Sequence, residues 1–532
     1  MLTEQFRKLY RLCLQSFYPF TLQSVVSCFE TILVMLFSTD KSTELNFPEM
    51  IKKILRFVWG PLILLGFTLI PDFSFAAEAA EAGHGGHGIE GGGLSLLWAV
   101  PFAGILLSIA IFPLVNEEWW HHNFGKVSAA WGLSLVIPMI ITFGFDNTLY
   151  EVLHAYLLEY IPFIVLLLAL FTVSGGIRIK GYLVGTPMVN TGILLIGTIL
   201  ASWMGTTGAA MLLIRPILRA NAWRSTKKHI VIFFIFLVAN VGGSLTPLGD
   251  PPLFLGFLQG VSFFWTTTHL FFEMTFVAVI LLIVFYFWDM YLYKKETNTP
   301  PHDDGSEPLG IEGSINLVLI LGVIAAVLFS GLVHLGEFEV YHVHVKVENV
   351  LRDVALLFLA WLSWKVTSKE SRAANGFNWF PIQEVGKLFA GIFVTIITPL
   401  AMLKAANHGE GALQFVNNAV FTEAGDPINE MFFWITGMLS AFLDNAPTYL
   451  VFFNAAGGDA AHLMTDMSHT LMAISSGAVF FGAMTYIGNA PNFMVKSIAD
   501  QNGVKMPSFG GYMMWSLGIL VPIYLLVTFL FI

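Results

Sequence analysis

Four short segments of this 532-residue chain set helix-breaking residues beside hard oxygen donors. They are Gly205-Thr206-Thr207-Gly208, Thr246-Pro247-Leu248-Gly249-Asp250-Pro251-Pro252, Asp444-Asn445-Ala446-Pro447 and Thr485-Tyr486-Ile487-Gly488-Asn489-Ala490-Pro491-Asn492. Each lies inside a long apolar stretch. Proline removes a backbone donor and clashes with the preceding turn, while glycine lets the chain open. Helices should therefore break at Gly205, Gly208, Pro247, Gly249, Pro251, Pro252, Pro447, Gly488 and Pro491. A break frees carbonyl oxygens. Beside them stand the hydroxyls of Thr206, Thr207, Thr246 and Thr485 and the amides of Asn445, Asn489 and Asn492, a donor set suited to a small cation such as Na+.

Asp250 and Asp444 add charge to these segments. A carboxylate at the bilayer centre costs roughly 2.5–3.5 kcal/mol on insertion scales and is by default a functional-site candidate. Burial disfavours an ionised carboxyl, so such a group can exchange a proton for a cation. The expectation is that Asp444, together with Asp250, alternately holds H+ and Na+, with Asp444, Asn445, Asp250 and Thr206 as the cation ligands. The competing structural reading makes each Asp the cap of a half-helix. Asp-Pro-Pro at Asp250 is a common helix start.

The elements that would hold these residues follow from composition. Hydrophobic residues make up 56% of the chain and charged residues 12%, with a mean hydropathy of +0.72. A soluble domain carries about 25% charged residues, so this is a membrane protein. A net charge of −10 suggests neither a nucleic-acid partner nor a polybasic lipid anchor. Both cysteines, Cys13 and Cys28, precede Met50, which excludes a disulfide framework, a cysteine zinc site and a thiol nucleophile from the main body. No GxxxxGK[ST], HExxH or GxSxG occurs, so direct drive by ATP is excluded and a membrane-embedded enzyme is the least favoured class. No cofactor is expected; Na+ and H+ would be transported ions.

A bilayer crossing takes about 20 helical residues. Apolar runs of that kind fall near 96–115, 127–144, 156–173, 229–262, 269–292, 314–335, 350–366, 384–403, 470–501 and 512–532, about ten crossings. Stretches 186–220 and 429–456 are interrupted at their middles and read as re-entrant hairpins. With both re-entrant and the mature N-terminus outside, the clusters around Arg178, Arg215 to Lys228, Lys294 and Lys365 to Arg372 all fall inside, as the positive-inside rule requires.

Ser202–Leu213 aligns on Ser440–Val451 at an offset of 238, and GSLTPLGDPPLFL on GAMTYIGNAPNFM at 239. Each half then has five crossings and one hairpin, and five is odd, so the second half starts from the opposite side. The predicted fold is an all-α polytopic membrane protein built as an inverted repeat. Its parts are a doubtful N-terminal extension (1–49), a signal peptide (50–76) with basic start, apolar stretch and Ser-Phe-Ala cleavage site, a flexible Gly/His tail (77–94), repeat 1 (95–293), a cytoplasmic linker (294–313) and repeat 2 (314–532). Glu159 and Glu384 read as interfacial or, alternatively, on a proton path; Arg215 as snorkelling to the inner surface; His121 and His122 as part of an aromatic belt; and the alternating 338–347 segment as a short outer strand or hairpin.

VGGSLTPLGDPP resembles the NxGGxxTxIGDPPN signature of the ion transporter superfamily, in the branch of the arsenite pump, the melanosomal P protein and NhaD-type sodium/proton antiporters. FLDNAP and TYIGNAPNFMVKSIADQNG are similar to its second-half counterparts, and the likeness spans about residues 95 to 532. The nearest bacterial subgroup carries two labels, sodium:proton antiporter and citrate transporter. The resemblance implies two hairpins, two broken helices, elevator-type alternating access, a homodimer and a place in the bacterial inner membrane. Dicarboxylate carriers of the superfamily have Ser-Asn-Thr at both hairpin tips, whereas this chain has Gly-Thr-Thr and Asp-Asn-Ala. An ionised Asp444 would repel citrate and attract Na+. Na+ (or Li+)/H+ antiport is the first expectation and Na+-coupled transport of citrate or another anion the second.

Overall fold

The computed structural model describes residues 89–181, 183–300 and 310–532. The N-terminal extension, the signal peptide, most of the Gly/His tail and the middle of the linker lie outside the described residues.

The described chain is almost entirely helical. Repeat 1 begins with α1 (Val100–Val115), α2 (Glu117–Phe143), α3 (Phe145–Ala155) and α4 (Ile161–Ser174), with a π-helical turn, Tyr156–Tyr160, joining the last two. A three-residue strand, β1 (Arg178–Lys180), leads to the paired helices α5 (Pro187–Met204) and α6 (Thr206–Ala220). Then come α7 (Lys228–Leu237), a 3-10 turn at Val241–Gly243, α8 (Pro251–Leu258) and the 30-residue α9 (Trp265–Lys294).

In the linker, β2 (Gly310–Glu312) pairs antiparallel with β1, and repeat 2 opens with α10 (Ile315–Leu332). The alternating segment forms an antiparallel hairpin of β3 (Glu337–Val340) and β4 (Val343–Lys346), turned through Tyr341 and His342 at φ 49° and 64°. His342 pairs with Glu339 (2.9 Å) and His344 with Glu337 (3.3 Å), acidic partners that the sequence spacing does not reveal. Next are α11 (Val347–Val366), α12 (Lys369–Ala374), α13 (Phe380–Thr395), α14 (Ile397–Ala406) and α15 (Gln414–Val420). The chain ends with α16 (Asn429–Leu443), α17 (Asn445–Ala455), α18 (Ala460–Met464), α19 (Ser468–Phe481), a 3-10 turn at Gly482–Met484, α20 (Ala490–Gln501) and α21 (Phe509–Phe531).

Seven helical runs among the described residues are long and apolar enough to cross a membrane, and the pair α13 and α14, bent by 42°, makes an eighth. The ten crossings expected from hydropathy are therefore not ten continuous apolar helices. Stretches 229–262 and 470–501 are each cut into two pieces too short to span alone. α11 has the length but carries Glu348, Arg352, Asp353 and Lys365, and α5, expected as one arm of a hairpin, is itself 18 residues long.

Two breaks and two hairpins fall where the glycines and prolines stand, and they repeat at one offset. α5 ends at Met204 and α16 at Leu443; α6 starts at Thr206 and α17 at Asn445; α8 starts at Pro251 and α20 at Ala490. All are 239 residues apart. The hairpin tips share one backbone conformation, Gly205 at φ 81°, ψ 146° and Asp444 at φ 78°, ψ 138°. The Thr246 hydroxyl donates to the carbonyl of Ser202, and that of Thr485 to the carbonyl of Ala441 (2.5 Å). The 238 offset, which matches Ser202 with Ser440, is thus one residue short: identical letters outweighed backbone geometry over a short window. Packing is reciprocal too, α8 resting on α17 as α20 rests on α6.

Close backbone approach holds the first break together. A Cβ on Gly249 would sit 2.1 Å from the carbonyl oxygen of Gly243, a distance real Cβ atoms do not adopt. Gly249→Ala is expected to push the 3-10 turn away from α8, displace Asp250 and cost about 1–3 kcal/mol. A melting curve of the purified variant in detergent reads it.

A buried ionic cluster anchors the first hairpin. Asp289 of α9 accepts from Arg224 (2.6 Å), His229 (2.8 Å) and Asn190 at the start of α5 (2.9 Å). Arg224, expected in a charged inside loop, is in fact fully buried by this pairing.

Candidate functional site

All four broken segments converge on one carboxyl group. Asp250 is 1% exposed and caps α8 from an extended conformation, φ −138°, ψ 143°. It accepts from Thr206 Oγ1 at the first hairpin tip (3.0 Å), Asn445 Nδ2 at the second tip (2.5 Å) and Asn489 Nδ2 in the second break (2.9 Å). At the offset of 239, Thr206 is the twin of Asn445 and Asp250 the twin of Asn489. Local breaks 239 residues apart thus build a single site. Asn445 keeps its carbonyl oxygen buried without a hydrogen-bond partner.

The second layer is amide. Asn492 donates to the carbonyls of Gly482 (2.7 Å) and Thr485 (2.8 Å) and accepts from Asn240 (2.7 Å), whose carbonyl oxygen in turn accepts from Asn489 (3.2 Å). The candidate residues do not include Asn240, yet it is the Asn of the NxGGxxT pattern. Thr246 and Thr485 stand outside the Asp250 cluster. Their hydroxyls are taken up in tying each break to its hairpin, and each also accepts from the backbone amide two residues on, Leu248 or Ile487 (3.2 Å each). Thr207 stays outside the Asp250 cluster and lines a small cavity of about 80 Å³ with Gly205, Pro247 and Asp250.

Asp444 stands apart from this enclosure. It is half-buried, its carboxylate accepts from the backbone amide of Ala446 (3.3 Å), its backbone carbonyl accepts from Thr448 Oγ1 (2.8 Å), and it faces a cavity of about 670 Å³. The capping geometry of the competing reading is therefore present at Asp444, but weak, and it leaves the rest of the carboxylate facing the cavity. Its non-glycine φ of 78° with ψ 138° lies in a region that glycine favours.

Arg215, Glu384, His121, Asn378 and Asn489 line the same cavity. Arg215 is half-buried at the cavity wall, and its Nη1 has no hydrogen-bond partner among the described residues. Gly376, at φ 61°, makes room for it, since a Cβ there would lie 2.1 Å from Arg215 Nη2. Glu384 accepts from Trp120 Nε1 (3.1 Å), and His121 packs edge-on against Phe380. Glu159 is buried and accepts from Gln259 Nε2 (2.9 Å). Among the described residues no group of three or more His, Cys, Asp or Glu side chains could hold a metal ion.

No curated protein matches the chain. Residues 91–532 match the family described as "Putative citrate transport", in keeping with the resemblance to the ion transporter superfamily. The match runs through both hairpins, both breaks and the cavity, and the chain belongs to that family.

Proposed function

We propose that this protein is a secondary active transporter that exchanges Na+ or Li+ for H+, and that Asp444 is the group that takes either ion. The observation that carries the reading is the placement of Asp444: a carboxyl with one weak backbone donor, held in a glycine-type conformation at the edge of a large cavity. Such strain persists where function requires it. Asp250, enclosed by three side-chain donors, then fixes the two tips and the two breaks relative to one another. In this reading the two repeats lie in opposite orientations in the bilayer, as an odd number of crossings per half requires, and alternating access moves the site as one body. The setting is the bacterial inner membrane, in a homodimer.

A second reading rests on Arg215. An unpartnered guanidinium nitrogen in a cavity of about 670 Å³ suits an organic carboxylate better than a bare cation, and the family's description points the same way. Na+-coupled uptake of citrate would place the anion at Arg215 and the cation at Asp444. Purified protein in liposomes with a pH-sensitive dye inside separates the two. Collapse of a preset proton gradient on adding Na+ or Li+, with no response to K+, supports antiport. Uptake of labelled citrate that needs Na+, without gradient collapse by Na+ alone, would replace antiport with symport.

A further inference from the structure

Outside the Asp250 cluster and the cavity, α9 carries an acidic group that the proposed cycle does not use. Glu273 lies on α9, is 0% exposed, and neither of its carboxyl oxygens has a hydrogen-bond partner among the described residues. Its twin at the offset of 239 is Tyr512 of α21, which donates its hydroxyl to the carbonyl of Ala483 (2.8 Å). One half of the molecule fills this position with a neutral group whose polar atom is satisfied. The other half fills it with a carboxyl that is not, so the fold itself does not call for an acid there. An intramembrane ionisable residue without a structural partner marks a functional position.

The surroundings of Glu273 are neutral and hydroxylated. It faces Ser476 of α19; Ser475, the next residue back, faces the hydroxyl of Tyr449 on α17 and is itself buried without a hydrogen-bond partner. Tyr449 lies one turn after Asn445, and its ring packs on α8 at Gly256, where a Cβ would meet its hydroxyl oxygen at 2.3 Å. α8 and α17 are the helices whose first turns carry Asp250 and Asn445. The ionisable groups of the elements around Glu273 are engaged elsewhere. His269, one turn before it, bonds the carbonyl of Trp265 (2.8 Å), His229 of α7 bonds Asp289, about 24 Å further along α9, and Tyr524 of α21 donates to Phe480 (2.6 Å). Lys228 starts α7 and His469 the first turn of α19, seven residues before Ser476.

We propose that Glu273 is a second proton-binding carboxyl of the transport cycle, on the face of α9 turned to Ser476 of α19. The proposal rests on the transporter reading but not on which ion is carried.

Infrared difference spectroscopy of the whole protein in lipid, on adding Na+, Li+, or Na+ with citrate, and on a pH jump, tests it. The expected result is loss of a protonated-carboxyl carbonyl band in the wild type, absence of that component in Glu273→Gln, and its retention in Asp444→Asn. The same band change in Glu273→Gln as in the wild type, or no carboxyl band that responds to any ion or to pH, overturns the proposal. The liposome assay on the wild type judges the antiport reading separately, because a protein that moved only citrate would still show or lack the Glu273 band.

Discussion

Asp444→Gly is expected to make the protein more stable and to abolish transport. At φ 78° and ψ 138° the tip residue sits where a side chain costs about 1–3 kcal/mol and glycine almost nothing. The equivalent tip in the first repeat has glycine at the same angles, Gly205, and packs without difficulty. Removing the side chain forfeits the long cap to Ala446, and glycine in place of an N-cap residue loses only a few tenths of a kcal/mol. The net gain should be about 1–2 kcal/mol, read as a higher melting temperature in detergent. Asp444→Asn keeps the shape, the strain and an oxygen for the cap while removing the charge; it should melt like the wild type and show no ion exchange in liposomes. Wild-type turnover in either variant would remove Asp444 from the mechanism, and a lowered melting point for Asp444→Gly would show that the tip is not strained.

Much of the architecture is legible in the chain because bilayers leave few options. Long apolar runs must be helical, and glycine and proline within them mark where they break, so both hairpins and both broken helices fall where residues 205–208, 246–252, 444–447 and 485–492 place them. The site itself is only half legible. That Asp250, Thr206, Asn445 and Asn489 all carry oxygen or amide groups is plain from sequence; that three of them turn their donors on the fourth depends on the reciprocal packing of α8 on α17 and α20 on α6, which no local pattern encodes. Thr246 and Thr485 carry the same oxygen donors as their neighbours, yet a threonine beside a broken helix can equally close the loop by bonding a carbonyl 44 residues away, and both do. Arg215 stands in the sequence as one of a run of basic residues, and only the space left by Gly376 shows that its guanidinium reaches the cavity wall. Glu273 gives no signal at all, being one acid in a helix whose hydropathy is that of a plain membrane span.

Truncating Asp250 should unfold what truncating Asp444 leaves intact. Thr206, Asn445 and Asn489 all point donors at its carboxylate, and none of the three is more than 2% exposed. Asp250→Ala would strand those buried donors, and breaking a buried polar network from one side costs about 3–5 kcal/mol. Loss of folded protein from the membrane fraction, or a large fall in melting temperature, is the expected outcome. Asp250→Asn should behave differently. It keeps one acceptor oxygen for Thr206 and Asn489 but turns an amide toward Asn445, donor against donor. Asn445 can answer by rotating its own amide, which restores that one hydrogen bond by turning its unpartnered carbonyl oxygen toward the new amide. Asp250→Asn is therefore expected to fold with a loss below about 1.5 kcal/mol, the size of one net hydrogen bond. Asp250→Asn combined with Asn445→Ala removes the partner that rotates and should fall back toward the Asp250→Ala value. If the two single variants at Asp250 melted together, the three donors would not be what holds the hairpin tips to the breaks, and the convergence of the four segments on this carboxyl would have to be stabilised by helix packing alone.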